Sequence, residues 1–250
     1  MARPGIGDSV EGIHAVAAAV AAGRVEHLFV ESARVGEMAS LVEAARAAGA
    51  GVEVVRSVAD RARTDADQGV VARCRPIPLV SLEEAAAVVE PAALVVADHL
   101  EDPRNVGAVA RSMVAAGVRG LVVPRRRSAP IGATAFKAAA GAFEHLAVAE
   151  VSSVAAAVDD LRRLGIWTVG LDAAASQPLF GFGLLAEPVA LVIGAEGRGL
   201  SRLVGERVDA TVSIPLLGPV ESLNAAVAAA LAVFEIARVR SQPSQTTNPA

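Results

Sequence analysis

Five polar side chains in three separate segments could act on a substrate. The segments are residues 98–111, 194–199 and 218–224, and the side chains are Asn105, Arg111, Glu196, Ser222 and Asn224. A guanidinium, a carboxylate, a hydroxyl and two amides can hold a phosphate, orient a hydroxyl group and assist proton transfer. No covalent nucleophile is apparent, because the single cysteine, Cys74, lies outside all three segments.

The second and third segments each follow an apolar run with the length and branching of a buried strand. Residues 189–193 end at Gly194, and residues 210–214 end at Pro215. Loops with glycine at strand ends leave backbone N–H and C=O groups unpaired and let a ligand approach them. These glycines lack the spacing of a dinucleotide fingerprint, and the loop lacks the lysine and hydroxyl of a P-loop. We therefore expect a ligand site of another kind.

Two helices are predicted to position the polar groups. Asn105 stands where a helix N-cap belongs, Gly107 leaves the next turn bare, and Arg111 shares that bare side. The last segment opens a second helix, with Ser222 as a candidate cap. Its apolar positions predict one buried face, formed by Leu223, Ala226, Val227, Ala230, Leu231 and Phe234.

Composition indicates a soluble protein. The chain is 53% hydrophobic, yet no apolar run is long enough to span a bilayer. Residues 1–12 have no apolar core, so we expect no secretory signal. A single cysteine excludes an intrachain disulfide and fits a cytoplasmic location.

The charge distribution argues against bulk electrostatic binding of nucleic acid but leaves room for a local site. The formal net charge is −4, whereas domains that bind nucleic acid are usually strongly basic. Arg125, Arg126 and Arg127 form one basic patch, which is either a solvated loop or a phosphate site. With 3% aromatic residues and no tyrosine, a base-stacking platform is not expected.

Alternating apolar runs and helical patterns predict an α/β fold with a parallel sheet. Residues 1–75 form a predicted small α/β domain, in which Ser9 caps a helix and residues 57–63 form a helical piece. The proline-bracketed residues 76–91 are a predicted linker with a short acidic helix. Residues 92–240 form the larger domain, and the polar tail 241–250 is expected to be disordered.

Three motifs in this order resemble those of the SpoU/TrmH family, which are RNA ribose 2′-O-methyltransferases of the SPOUT class. The motifs are Asn105-Val106-Gly107 with Arg111, then 193–200, and then 214–224 ending in Ser222-Leu223-Asn224. Residues 67–70 and their surroundings also resemble the small L30e-like substrate-binding domain of the rRNA-modifying members.

The resemblance implies a C-terminal trefoil knot in the sheet that binds S-adenosylmethionine, and a homodimer whose site is completed across the interface. The cofactor-binding residues that it implies are Gly194, Ile214, Leu216, Leu223, Thr168, Val169 and Gly170. It also implies RNA as the partner, with a guanosine of large-subunit (23S) rRNA as the leading target.

The resemblance gives each polar residue a role. Arg111 is either the base for the 2′-hydroxyl, which requires a strongly lowered pKa, or the group that holds the adjacent phosphate. Asn105 orients Arg111 or the ribose, and Glu196 pairs with Arg111 or fixes its loop. Ser222 and Asn224 bind the loop and the substrate. Two further charged residues, Lys137 and Glu144, are expected on a solvated face.

Three other functions remain open. The chain could methylate tRNA, or it could be a non-catalytic RNA-binding protein, although keeping this polar cluster without a reaction would have no physical benefit. A nucleotide-dependent oxidoreductase is supported only by Gly181-Phe182-Gly183 and the glycines near Glu196, without the acidic partner of the fingerprint. The four histidines have no metal-ligand spacing, so we expect no metal.

Overall fold

The computed structural model describes residues 5–65 and 67–241. The strands are β1 (Gly5–Ile6), β2 (Ser9–Glu11), β3 (Val25–Glu31), β4 (Gly51–Val55), β5 (Val70–Cys74), β6 (Ile77–Pro78), β7 (Ala93–Ala97), β8 (Gly120–Pro124), β9 (Ala147–Val151), β10 (Trp167–Leu171), β11 (Val189–Ile193) and β12 (Ala210–Val212). The helices are α1 (Ile13–Ala21), α2 (Ala39–Ala47), α3 (Leu82–Ala86), α4 (Pro103–Ala115), α5 (Ala133–Ala139), α6 (Val154–Arg163), α7 (Arg202–Gly205) and α8 (Ala225–Ser241).

The larger sheet has six parallel strands in the order β12, β10, β11, β7, β8, β9. Every residue of β7, β8 and β11 is buried, as expected for apolar strands covered on both faces. Ala97 pairs with Ile193, so the segments that begin at Asp98 and Gly194 leave the same edge of the sheet. The predicted α/β fold with a parallel sheet is confirmed.

The smaller sheet has the order β2, β5, β3, β4, with β3 and β4 parallel and the other pairs antiparallel. The predicted N-cap at Ser9 is wrong, because Ser9 belongs to β2 and Gly12 precedes the helix. Strand pairing of β2 with β5 outweighs the local capping preference of serine. The predicted helical piece at 57–63 is a series of turns, whose last residues donate to the buried Glu11 carboxylate.

The small and large sheets are joined by a buried ion pair. The Arg24 guanidinium donates to both carboxylate oxygens of Glu144, and the two side chains are 11% and 4% exposed. The expectation that Glu144 lies on a solvated face is therefore wrong. Burial lowers the pKa of Arg24, but the hydrogen bond and the charge of Glu144 outweigh it and leave the pKa raised.

The segment predicted as a linker packs on the large sheet. Helix α3 has a capping box between Ser81 and Glu84, and it contacts β8 and β9. Its buried Leu82 belongs to the apolar layer on that face of the sheet. The division of the chain into the four predicted segments stays a prediction. Ser241, the first residue of the predicted tail, ends α8, and residues 242–250 lie outside the described part of the chain.

The prediction of which face of the final helix is buried is wrong, because a different side of the helix faces the core. Helix α8 packs against α4, and its buried residues are mostly small, among them Ala225, Ala229 and Ala232. Three of the large apolar side chains point outward and are 48%, 37% and 50% exposed, namely Val227, Leu231 and Phe234. Alanines allow the two helix backbones to approach closely, which apolar spacing alone does not reveal. Among the described residues, no helix is long and apolar enough to span a bilayer.

Candidate active site

The three polar segments meet through a hydrogen-bonded network of Asn105, Glu196 and Asn224. The Asn105 side-chain amide donates to Glu196 Oε1 at 2.8 Å, and the Asn224 amide donates to the same oxygen at 2.5 Å. Asn224 also donates to Asn105 Oδ1 at 3.1 Å. The fold thus brings together residues that lie 91 and 119 positions apart in the sequence, at the edge of the sheet where β7 and β11 end.

The helix ends that hold the two asparagines differ from the predicted caps. Asp102 caps α4 by accepting from Arg104 N at 2.8 Å, with Pro103 as the first helical residue. Asn105 therefore lies within the first turn, where its side chain is free to reach Glu196. At α8 the cap is Asn224, whose Oδ1 accepts from Ala226 N, so the capping role considered for Ser222 is wrong.

Glu196 is positioned by a tight loop that depends on Gly194. A Cβ added at Gly194 would lie 2.1 Å from the carbonyl carbon and oxygen of Gly199, inside the loop's own backbone. Gly197 and Gly199 adopt φ values of 71° and 65°, which glycine reaches without strain. The glycines close the loop on itself and hold the Glu196 carboxylate beside the two amides.

A cavity of about 500 Å³ lies between this loop and the segment that leads to α8. Four predicted cofactor-binding residues line it, namely Gly194, Ile214, Leu216 and Leu223. Glu196 and Ser222 also reach its wall. This volume falls in the range of small-molecule sites. Such sites are lined mostly by apolar side chains, with a few polar groups.

The prediction of Thr168, Val169 and Gly170 at this cavity needs correction. These residues lie inside β10, and the wall is formed by the last residue of that strand, Leu171, and by residues 172–174. The Thr168 hydroxyl donates to Asp209 Oδ2 at 2.7 Å, and Gly170 packs against Leu200. Parallel strands present ligand sites beyond their carboxyl ends, so the prediction was placed too early in the chain.

Arg111 does not join the network within one chain. It is exposed on α4, and within residues 5–65 and 67–241 its guanidinium makes no hydrogen bond or ion pair. The expectation that Glu196 pairs with Arg111 in the same chain is therefore wrong. Gly107 does not clear a face for Arg111 either, because a Cβ there would lie 2.3 Å from the Ala135 carbonyl oxygen of α5.

Two site residues were missed by the sequence reasoning, although they follow β7 directly. The Asp98 side chain is fully buried, and its Oδ2 accepts from Ser201 N at 2.6 Å. Its Oδ1 lies 2.6 Å from His99 Nδ1. His99 lines a second cavity of about 470 Å³ together with Asn105, Glu196 and Arg198. The signal was a polar pair at the carboxyl end of a buried strand.

Covalent catalysis by cysteine is disfavoured by burial. Cys74 lies in β5, and desolvation raises the pKa of its thiol to about 11, so the reactive thiolate is scarce at neutral pH. Among the described residues, no group of three or more His, Cys, Asp or Glu side chains is placed to hold a metal ion. The expected absence of a metal stays a prediction.

Two family patterns match the chain. That of the SpoU rRNA Methylase family matches residues 92–234, and that described as RNA 2′-O ribose methyltransferase substrate binding matches residues 9–80. The chain belongs to the SpoU rRNA methylase family. This confirms the resemblance given by the three motifs, and with it the expectation of an S-adenosylmethionine-dependent RNA methyltransferase.

Two similar proteins align with most of this chain. A 23S rRNA (guanosine-2′-O-)-methyltransferase, RlmB, of Ralstonia nicotianae is 38% identical over 92% of this chain and 95% of its own. An uncharacterised tRNA/rRNA methyltransferase of Mycobacterium ulcerans is 42% identical over 78% of this chain. The match spans 65% of the length of that mycobacterial relative.

Solved structures of other methyltransferases share the fold. AviRb from Streptomyces viridochromogenes, in complex with the cofactor AdoMet, gives a TM-score of 0.77 at 28% identity, covering 93% of this chain and 90% of that one. The AdoMet-bound rRNA methyltransferase from Sinorhizobium meliloti gives 0.71 at 25% identity, covering 92% and 87%.

Proposed function

We propose that this chain transfers a methyl group from S-adenosylmethionine to the ribose 2′-hydroxyl of a guanosine in large-subunit rRNA. The observation that carries the proposal is the meeting of Asn105 and Asn224 at Glu196, which lines the 500 Å³ cavity. The relative named for a 23S rRNA guanosine supports the choice of substrate. The proposed substrate places the reaction in the cytoplasm.

The cavity fits the cofactor in size and in chemistry. Its walls combine apolar side chains such as Ile214 and Leu223 with the loop backbone around Gly194. Such walls can enclose an adenine ring and leave backbone groups for its polar edges. When bound, S-adenosylmethionine supplies an electrophilic methyl group on a sulfonium. Residues 214–224 are proposed to close the cavity by the knotted path that the family resemblance implies.

The polar network is proposed to orient the ribose. Two amide N–H groups bind Glu196 Oε1 and fix the carboxylate plane. Glu196 Oε2 can then accept a hydrogen bond from a sugar hydroxyl and align its lone pair for in-line attack. Ser222, on the same cavity wall, is the further substrate or loop contact. Alignment of the reactants is the largest contribution that these groups can make, since the displacement needs no covalent intermediate.

We propose that the site is completed by a second copy of the chain. Val227, Leu231 and Phe234 form an exposed apolar stripe on α8, the helix that Asn224 caps. Such a stripe marks an association surface, and a twofold dimer would bury it against itself. Arg111 is exposed on α4, the helix that packs beside α8. In this arrangement Arg111 of each protomer would reach the network of the other and hold the phosphate next to the target ribose.

A complementation experiment tests the shared site. Arg111→Ala and Glu196→Ala variants should each be inactive as homodimers. A dimer with one subunit of each has one intact site if Arg111 acts across the interface, so a one-to-one co-expressed mixture should recover about a quarter of wild-type activity. If Arg111 acts within its own chain, no intact site forms and no activity returns, which would contradict the proposal.

The substrate is tested by methyl transfer from labelled S-adenosylmethionine to large-subunit rRNA, small-subunit rRNA and tRNA in parallel. We expect label in large-subunit rRNA, and ribose-methylation mapping in cells with and without the gene should identify one guanosine. Label in tRNA alone would favour tRNA modification. A protein that binds the cofactor but labels none of these RNAs would overturn the proposed function.

A further inference from the structure

A groove of about 550 Å³ lies at the carboxyl ends of β7, β8 and β9, beside the candidate active site. Its walls come from the segments that follow these strands and from α7. The polar and charged residues that line it are Asp98, His99, Arg126, Arg127, Ser152, Ser153, Ser201 and Arg202. Asp98 and His99 also belong to the candidate active site, whereas the other six have no part in the methyl transfer or the cofactor cavity described above.

The groove presents positive charge that the protein itself does not neutralise. In the described part of the chain, the guanidinium groups of Arg126 and Arg127 make no hydrogen bond or ion pair. Their neighbour Arg125, by contrast, donates to Glu150 at 2.8 Å. Arg202 pairs with the exposed Glu206, one turn away. Guanidinium groups left open in a concave site suit a ligand with phosphate oxygens.

The one carboxylate in the lining is already occupied. Both oxygens of Asp98 are in hydrogen-bond contact, one with Ser201 N and the other with His99 Nδ1. Its side chain is fully buried, so it offers no surface to a ligand. It orients the His99 ring and leaves the Nε2 edge for the adjoining cavities, both of which His99 lines.

Two lining residues hold a backbone conformation that is unfavourable for their side chains. His99 has φ of 64° and Arg127 has φ of 58°, although glycine would adopt either without strain. Arginine in the left-handed region is uncommon. A strained residue that faces a cavity is a reason to look for a function of its side chain.

The groove is continuous with the candidate active site. His99 and Arg127 also line a cavity of about 450 Å³ with Arg198 and Ser201, and Arg198 in turn lines the cavity beside Asn105. A polyanionic chain with one nucleotide at Glu196 could therefore continue past Arg198 into the groove. Besides Glu196 itself, two carboxylates near the surface line this path, Glu101 and Asp102, and Asp102 is paired with Arg104.

We propose that this groove binds the phosphodiester backbone of the RNA strand that flanks the target nucleotide, with Arg126 and Arg127 as its principal contacts. This proposal rests on the proposed function. It adds that the groove holds the RNA backbone next to the nucleotide bound at the network of Asn105, Glu196 and Asn224. We expect the groove to contact phosphate rather than bases, because the cations that line it are guanidinium groups and its lining contains no Phe, Tyr or Trp.

The first test measures binding of a fluorescein-labelled 20-nucleotide single-stranded RNA to the full chain at several salt concentrations. The double variant Arg126→Gln/Arg127→Gln should bind on the order of 10-fold more weakly, and the slope of log affinity against log salt should fall by about 1.4. A DNA of the same sequence should lose affinity by the same factor. Unchanged RNA affinity, or a loss with RNA alone, would overturn the proposal.

The matched control is Arg119→Gln/Arg163→Gln, which removes the same charge at the opposite edge of the sheet, where β8 begins and α6 ends. This variant should keep wild-type RNA affinity. If it loses as much affinity as Arg126→Gln/Arg127→Gln, the loss comes from the lower net charge of the protein and the groove proposal is wrong. Titration with S-adenosylmethionine separates the two proposals. Wild-type protein that binds RNA through the groove but not the cofactor would defeat the proposed function and leave the groove proposal standing.

A second variant uses the backbone strain. Arg127→Gly relieves the left-handed conformation and should raise the melting temperature, while RNA affinity falls several-fold. A loop without a ligand would gain the same stability with no loss of RNA affinity, and that result would contradict the proposal.

Discussion

Two carboxylates in the large sheet each tie together distant segments, but their surroundings differ. Glu196 is exposed at the mouth of a cavity and receives two side-chain amides. The side chain of Asp209 is only 14% exposed, and its carboxylate accepts from Thr168 N, from the Thr168 hydroxyl and from Arg162. The same type of side chain should serve substrate binding in the first environment and stability in the second, because burial makes lost hydrogen bonds costly.

The largest effect is expected from Glu196→Ala. Loss of the group that fixes the ribose should lower kcat for methyl transfer by about 100-fold, or about 2.7 kcal/mol. The melting temperature should change little, because exposed hydrogen bonds contribute little to stability. Steady-state methylation assays check the expected loss of kcat, and thermal melting checks the unchanged stability. A variant that unfolds early with normal kcat would reverse the comparison.

Asp209→Asn should act on stability. Its amide cannot accept all of the hydrogen bonds that the carboxylate accepts from Thr168 and Arg162, so the free energy of unfolding should fall by about 1–3 kcal/mol. Denaturant unfolding gives this value, and kcat of the folded variant should stay near wild type. The neighbouring exposed pair Arg163 and Asp160 provides the control, since Asp160→Asn should cost less than about 0.5 kcal/mol.

The network around Glu196 should behave as one unit. Asn105→Ala and Asn224→Ala each remove a donor to the same oxygen, so their effects on kcat/KM should not add. We expect a coupling energy of about 1 kcal/mol in a double-mutant cycle. Additive losses would mean that the two asparagines act separately.

The smallest effect concerns pH. Burial acts to raise the pKa of Asp209, but hydrogen bonds from Thr168 and Arg162 outweigh it and hold the pKa below its usual range. A lowered pKa gives stability that is complete above the unfolded pKa, near 3.9, and is lost as pH falls through the folded value. The difference in free energy of unfolding between the wild type and Asp209→Asn should therefore shrink as the pH falls below about 4. A constant difference from pH 7 to pH 3 would contradict this assignment.

Much of the large sheet could be predicted because its strands are short, apolar and bounded by glycine or proline. Strand β11, Val189–Ile193, has the bounds that its sequence indicates. The meeting of Glu196 with Asn105 and Asn224 also follows from parallel strands that end at one edge.

Other features depend on tertiary contacts that spacing does not encode. The exposed stripe of Val227, Leu231 and Phe234 has the period of a helix face, but the side of α8 that is buried is the one that carries Ala225, Ala229 and Ala232. Ser9 has the chemistry of a cap, yet its pairing with Arg73 makes it part of a strand. Asp98 and His99 were overlooked because a two-residue polar pair has no distinctive spacing.

The central claim is that the cavity between the Glu196 loop and residues 214–223 binds S-adenosylmethionine. Isothermal titration of the cofactor into wild type and Gly194→Ala tests it most directly, because an added Cβ would lie 2.1 Å from the Gly199 backbone and displace the loop. The wild type should bind one cofactor per chain, and the variant, if its melting temperature shows that it is folded, should bind at least 10-fold more weakly. Equal affinity in the two proteins would place the cofactor elsewhere and contradict the claim.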